Sequence, residues 1–177
     1  MDTVKEKEKG KTLSQVTTEL AMPFPVDDIR WRAQSSYLDK NGNPIIKVVP
    51  YLDARQAQQR LDDVVGIARW NVSHTVVPLT NGQVIFIAKV GVYTSDGWVV
   101  KEDGAEGTDV EAVKGGFSDA FKRACVTWGI GRYLYTPVVR YGVLDRDGEH
   151  STPVRDKTSG RTVWAKWNAP ELFPKDK

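Results

Sequence analysis

Cysteine occurs once, at Cys125, and histidine twice, at His74 and His150. A single cysteine closes no internal disulfide, which fits a reducing compartment. With two distant histidines it also assembles no Cys/His zinc site within one chain. No apolar run reaches the ~18 residues that a membrane-crossing helix needs. The opening MDTVKEKEKGKT has no apolar signal-peptide core, and its mixture of glutamate and lysine is unlike an arginine-rich transit peptide. Neither charge sign dominates: 25 lysines and arginines face 23 acids, a net charge of +2. With 177 residues, 40% of them hydrophobic, the chain has ordinary globular usage, so global disorder and a fibrous rod are excluded.

The usual signatures of catalysis are incomplete. Gly10-Lys11-Thr12 resembles the end of a phosphate-binding loop, but Lys5 stands where the first glycine is required, and no strand precedes it. Gly129-Ile130-Gly131 lacks the third glycine of a dinucleotide fingerprint and follows a helical pattern, so it reads as a helix stop. Asp145, Asp147 and Glu149 resemble a calcium loop, but the glycine falls early and the terminal glutamate is missing. Three acidic pairs, Asp27/Asp28, Asp62/Asp63 and Glu102/Asp103, suggest a metal-dependent nuclease. Neighbours along a strand point apart, however, whereas two-metal chemistry needs converging carboxylates. Neither histidine has a triad-like context. No cofactor, no metal and no enzymatic activity are expected.

Turn and periodicity signals supply an architecture. Residues 1–11 read as a charged, mobile lead, and Thr12 to Leu20 as a short helix stopped by Pro23 and Pro25. Ile29–Tyr37 and Pro44–Leu52 read as strands around Asn41-Gly42. Asp53 caps a helix through Ala57, Leu61 and Val65 that Gly66 closes. Trp70–Leu79, Val84–Thr94 and Trp98–Lys101 form a meander with two-residue turns at Asn81-Gly82 and Asp96-Gly97. A loop over Glu102–Gly107 leads into a long helix. On its wheel Val110, Val113, Phe121, Ala124 and Trp128 fall within about 40° of Phe117. Gly115 and Gly116 inside that helix cost ~1 kcal/mol each relative to alanine, which suggests close approach of another backbone, a subunit or a nucleic-acid backbone, or simply a locally weak helix. Arg132–Leu144 reads as a strand. From Ser151 onward the chain reads as polar, with Trp164, Trp167, Leu172 and Phe173 as isolated anchors. The fold class is therefore α+β: an antiparallel β-β-β-α core packed on a long helix, with an N-terminal β-β-α element. Its expected divisions are a lead and helix over 1–22, a main domain over 23–145 and a tail over 146–177.

Charge is concentrated where the total hides it. Residues 114–140 hold Lys114, Lys122, Arg123, Arg132 and Arg140 against Asp119 alone. Such a segment is a candidate phosphate-facing surface, or simply a solvated helix face. Lys114, Ser118 and Lys122 line one flank of the long helix, while Arg123 falls on another. Arg30-Trp31-Arg32 interleaves cations with an indole, a pattern suited to single strands. Trp98 and Trp128 read as core. Cys125 lies beside the apolar stripe and reads as structural packing.

The run WVVKEDGAEGTDVEAVKGGFSDAFKRACVTWGIGRYLY, with PFPVDDIRWR and VPYLDARQAQQRLDDVVG upstream and Trp70 between, resembles the Rad-fifty-two/Rad-twenty-two superfamily of single-strand annealing proteins, in its bacterial and phage DdrA-like branch. The resemblance covers roughly residues 20–145. It implies a β-β-β-α core assembled into a homo-oligomeric ring or curved filament, with single-stranded DNA in a basic groove and no use of ATP. It also implies a bacterial cytoplasm, the chain's own or a phage host's. The family's groove positions fall on Arg32, Lys114, Lys122 and Arg123. Ser118 then adds a phosphate hydrogen bond, and Arg30 and Arg132 are further DNA-binding candidates. The implied function is annealing of complementary strands in recombination and double-strand break repair, or protection of 3′ ends by a single-strand binder that anneals little. The partners are single-stranded DNA, its complementary strand and further copies of the chain, with a recombinase or single-strand-binding partner left unidentified. Gln83 stands where annealing members carry a basic residue of a second, outer DNA path, which puts that path in question. Longer members bind the recombinase through a further C-terminal half, so recombinase loading is not expected of these 177 residues.

Overall fold

A computed structural model describes residues 10–107, 112–156 and 159–173, with the side chains of 112–114 outside the described set. The expected lead over residues 1–9 and the stripe position Val110 therefore lie outside it. The chain divides into two compact units: residues up to Phe24 with Leu52–Tyr135, and Pro25–Tyr51 with the residues from Thr136 onward.

Among the described residues the first unit holds three α-helices and one sheet. Helix α1 (Leu13–Leu20) starts at Thr12, whose hydroxyl accepts from the Gln15 amide while the Gln15 side chain returns to the Thr12 amide. Helix α2 (Ala54–Val65) repeats that capping box with Asp53 and Gln56, and ends at Gly66 with φ 87°. Each box satisfies amides that a helix start leaves without partners. Lys11, from the phosphate-loop fragment, pairs with Glu19 and donates to the Val64 carbonyl at 2.9 Å.

Strands β3 (Trp70–Pro78), β4 (Val84–Thr94) and β5 (Gly97–Gly107) form the antiparallel meander, and α3 (Ala112–Thr127) packs on it. Two sequence expectations are corrected here. The expected loop over Glu102–Gly107 is strand, paired with β4 without a break from Val84↔Gly107 to Thr94↔Gly97. Its glycines suit the register: a Cβ on Gly107 would lie 2.5 Å from the Phe86 ring. The turns also shift. Thr94 pairs with Gly97, so Ser95 and Asp96 make the second turn. At the first, the Leu79 amide donates to the Gln83 carbonyl at 2.8 Å, which leaves a three-residue loop with Gly82 at φ 81°. The Asp39–Asn43 hairpin of the other unit closes the same way, with Gly42 at φ 79°.

Even-numbered β4 residues Phe86, Ala88, Val90 and Val92 are buried, as are Ala120, Phe121, Ala124, Cys125 and Trp128 of α3 and its following turn. The Trp128 indole donates to the Val90 carbonyl at 3.1 Å. Gly116 has a local reason: a Cβ there would lie 2.3 Å from the Phe86 ring, so the close approach is to this chain's own sheet. A Cβ on Gly115 would meet no atom of the described residues within 4 Å. Trp98, read as core, is 51% exposed, because alternate β5 residues point away from α3, and its ring meets Tyr93 edge-on at 5.5 Å.

The second unit holds two three-stranded antiparallel sheets. One is β1 (Arg30–Leu38), β2 (Pro44–Tyr51) and β6 (Arg140–Tyr141). The other is β7 (Val143–Leu144), β9 (Thr162–Asn168) and β8 (His150–Arg155), in that order. The expected strand over Arg132–Leu144 is instead a 3-10 turn at Arg132–Tyr135 followed by β6 and β7, because Gly131 and Pro137 interrupt it. The polar stretch from Ser151 contains two strands. Trp167 is buried, with its indole N–H donating to Thr152 Oγ1 at 2.9 Å and its ring stacked on His150. The expected β-β-α element is divided: β1 and β2 group with the C-terminal strands, α2 with the meander.

Candidate nucleic-acid interface

Helix α3 carries most of the expected contacts. Ser118 and Lys122, one turn apart, share a flank as the spacing predicts. Ser118 is exposed. Lys122 is 28% exposed and its Nζ lies 2.8 Å from Asp119 Oδ1, a pair within the same helix. Lys114 belongs to the α3 backbone, but its side chain is outside the described residues. Arg123 leaves that flank and reaches β5, where Nη2 and Nε meet Asp103 Oδ1 at 3.2 and 3.3 Å. Arg132 lies at the far end of the helix. Its Nε donates to the Val126 carbonyl at 2.9 Å and its Nη2 to the Thr127 carbonyl at 2.6 Å.

Sequence reasoning missed a partner at that end. Lys101 Nζ donates to the same Thr127 carbonyl at 3.0 Å and lies 4.6 Å from the Trp128 ring centre. Burial, with Arg132 nearby, lowers the Lys101 pKa. These two cations meet the negative end of the helix and its unpaired carbonyls. The alternation of β5 was the available signal, since it turns Lys101 and Asp103 toward α3.

In the second unit, β1 alternates exposed Arg30, buried Trp31 and exposed Arg32. Trp31 is thus not available for stacking, while both arginines stand on the opposite, exposed face. The Arg32 guanidinium lies 6.0 Å from the Tyr51 ring centre.

Two of the three acidic pairs have other work. Asp62 accepts from the Trp70 indole at 2.6 Å and Asp63 from Gln59 at 2.8 Å. Glu102 pairs across strands with Lys89 at 3.3 Å, while Asp103 holds Arg123. Among the described residues no group of three or more His, Cys, Asp or Glu side chains could hold a metal ion. Cys125 is buried on the α3 core face, and burial pushes its thiol up to about 12, which keeps it protonated and unreactive. Among the described residues no helix is long and apolar enough to cross a membrane.

The profile of the Rad52/22 family double-strand break repair protein matches residues 12–143. The chain belongs to the Rad52/22 family. This Rad52/22 member is 36% identical over 125 residues to the single-stranded DNA-binding protein DdrA of Deinococcus deserti, across 70% of this chain and 58% of that one. It is 32% identical over 130 residues to the protein of the same name from Deinococcus radiodurans, across 70% and 56%. The match thus spans a little over half the length of these curated relatives. No solved structure matches the chain.

Proposed function

We propose that the protein binds single-stranded DNA without ATP and anneals complementary strands in recombination and double-strand break repair, acting as a homo-oligomeric ring or filament and not as an enzyme. The observation that carries this reading is the α3 flank of Ser118 and Lys122 inside the segment that matches the Rad52/22 family. The proposed contacts are Arg30, Arg32, Lys114, Ser118, Lys122, Arg123 and Arg132. Cations on phosphates hold the strand and neutralise repulsion between two strands, while base edges stay free to pair. Pairing itself supplies the driving force, so no chemical step is needed. Arg123 and Lys122 reach phosphates by exchanging Asp103 and Asp119 for them. Arg132 contributes through the charge it leaves exposed beyond the helix carbonyls it already serves.

A second reading, a single-strand binder that protects 3′ ends and anneals little, is favoured by the tip of the β3–β4 hairpin. There Gln83 is neutral and bonded to Asn81, so it offers an outer strand no cation. An annealing assay with two complementary oligonucleotides, without nucleotide, separates the two. Accelerated duplex formation supports annealing. Tight single-strand binding with no acceleration, and protection of a 3′ end from exonuclease, supports the second. Cleavage of labelled DNA in Mg²⁺ or Mn²⁺ would refute the non-enzymatic reading.

A further inference from the structure

We propose that the exposed face of the β8–β9 hairpin is a separate single-strand contact, in which a DNA base stacks on Trp164 between phosphates held by Arg146 and Lys166. The inference rests on the single-strand reading above but uses none of its residues.

Strand alternation builds the face. Ala165 and Trp167 of β9 are buried, whereas Trp164 and Lys166 point outward. Trp164 is opposite Pro153 and Lys166 opposite Ser151, with Arg155 opposite Thr162 on the same side. Trp164 is 67% exposed, although it sits in the middle of a paired strand. It borders an open groove of about 510 Å³ with Pro44, Leu144, Asp145, Arg146 and Lys166. That volume lies within the range of small-ligand sites.

The frame behind it is fixed. Trp167 is hydrogen-bonded to Thr152 and stacked on His150, 4.2 Å between ring centres. A Cβ on Gly148 would fall 2.6 Å from the Trp167 amide nitrogen, and one on Gly142 2.8 Å from its ring, so both glycines admit the buried indole. The exposed indole is therefore displayed on a hairpin that its buried neighbour anchors.

Charge identifies the occupant. Among the described residues Arg146, Arg155 and Lys166 take part in no ion pair. The one carboxylate lining the groove, Asp145, already accepts from Asn168 Nδ2 and from the Asp147 amide, both at 2.9 Å. Asp147 and Glu149 lie on the turn at one end of the hairpin. A flat aromatic surface beside unpaired cations suits a base and its flanking phosphates, whatever the sequence. An apolar peptide would leave the cations without partners.

The test is a fluorescence-anisotropy titration of the full chain with labelled oligothymidylate at several salt concentrations. Trp164→Ala should weaken binding roughly five- to a hundredfold with little change in salt slope, since stacking releases no counterions. Trp164→Phe should recover much of the loss, and Lys166→Ala should lower the slope by about 0.7. Unchanged affinity in Trp164→Ala, in a protein that Lys122→Ala does weaken, would overturn this inference and leave the single-strand reading standing. Unchanged affinity with a lower oligomer mass by light scattering would overturn it in favour of a contact between copies. A wild-type chain that binds no oligothymidylate would remove both.

Discussion

Helix α3 and the β8–β9 hairpin present positive charge in two different ways. On α3 the described cations have partners: Lys122 holds Asp119 and Arg123 holds Asp103. Arg132 just beyond it serves helix carbonyls. On the hairpin Arg155 and Lys166, and Arg146 in the turn before it, pair with no described carboxylate. In the segment with the larger basic excess in sequence, Lys122 and Arg123 are thus already committed to carboxylates. A count along the chain measures possible field, while the opposing side chains decide what a phosphate meets first. Surface ion pairs contribute only about 0–1 kcal/mol each, so α3 can exchange its carboxylates for phosphates at modest cost. On the proposed reading, a strand at α3 would compete with those carboxylates, whereas one at the hairpin would meet its cations directly.

The largest expected effect separates the two indoles of β9. Trp167→Ala should destabilise the fold by about 3–5 kcal/mol, as removal of a buried aromatic does. Trp164→Ala should stay within ~0.5 kcal/mol, as a surface change does. Denaturant unfolding of both variants checks this, and an equal loss would mean that Trp164 is part of the frame.

The buried side of α3 gives a pH dependence. The Cys125 pKa, about 12 in the fold, is raised above its ordinary value of 9.0. A raised pKa means the folded state keeps its proton longer than the unfolded state. Stability from this group is complete below pH 9 and is lost as pH rises from 9 toward 12, by up to ~4 kcal/mol. Cys125→Ala should remove that alkaline component while leaving DNA binding intact, measured by unfolding at pH 8 and pH 10.5.

The glycine pair sharpens the difference between a packed and an open helix face. Gly116→Ala places a Cβ against the Phe86 ring and should cost about 1–3 kcal/mol. Gly115→Ala meets nothing among the described residues and should stabilise the helix by up to ~1 kcal/mol. If Gly115→Ala also weakens single-strand binding, the space beside it is where a strand approaches.

Much of the fold was legible where local signals were strong. Asp53 was readable as a cap because its side-chain acceptor satisfies helix amides, whereas Thr12, read as the first helical residue, turns out to cap α1 in the same way. The α3 stripe was readable because burial follows the 3.6-residue period. What failed did so for non-local reasons. Glycine and acid in Glu102–Gly107 read as loop, yet Gly107 is required by Phe86 on the next strand and Glu102 by Lys89. Trp98 and Trp164 look like core residues in composition, and only the register of their strands turns them outward. The DNA-contact candidates on α3 and β1 were legible as positions, but not the carboxylates that hold Lys122 and Arg123. Arg123 depends on Asp103, twenty residues away on another element.

Lys122→Ala tests the competitive contact. A lysine that reaches a phosphate on single-stranded DNA should contribute about 0.7 to the slope of log affinity against log salt. The variant should lose that slope on every sequence alike. An unchanged slope in a correctly assembled protein would place the strand elsewhere.

The smallest effect has the opposite sign. Asp119 is 61% exposed and holds Lys122 at 2.8 Å, so bound phosphate must displace it or bind beside its charge. Asp119→Asn removes that competitor while keeping a side chain of the same shape. The ion pair within a helix is worth ~0.2–0.5 kcal/mol, so folding should change little. Affinity for oligothymidylate should rise about twofold at low salt, and the gain should fade as salt screens the exposed charges. A weaker complex would show instead that Asp119 orients Lys122 toward the strand. The α3 pair would then be a prepared contact and not a competing one, and the contrast with the unpaired hairpin cations would rest on Arg123 and Asp103 alone.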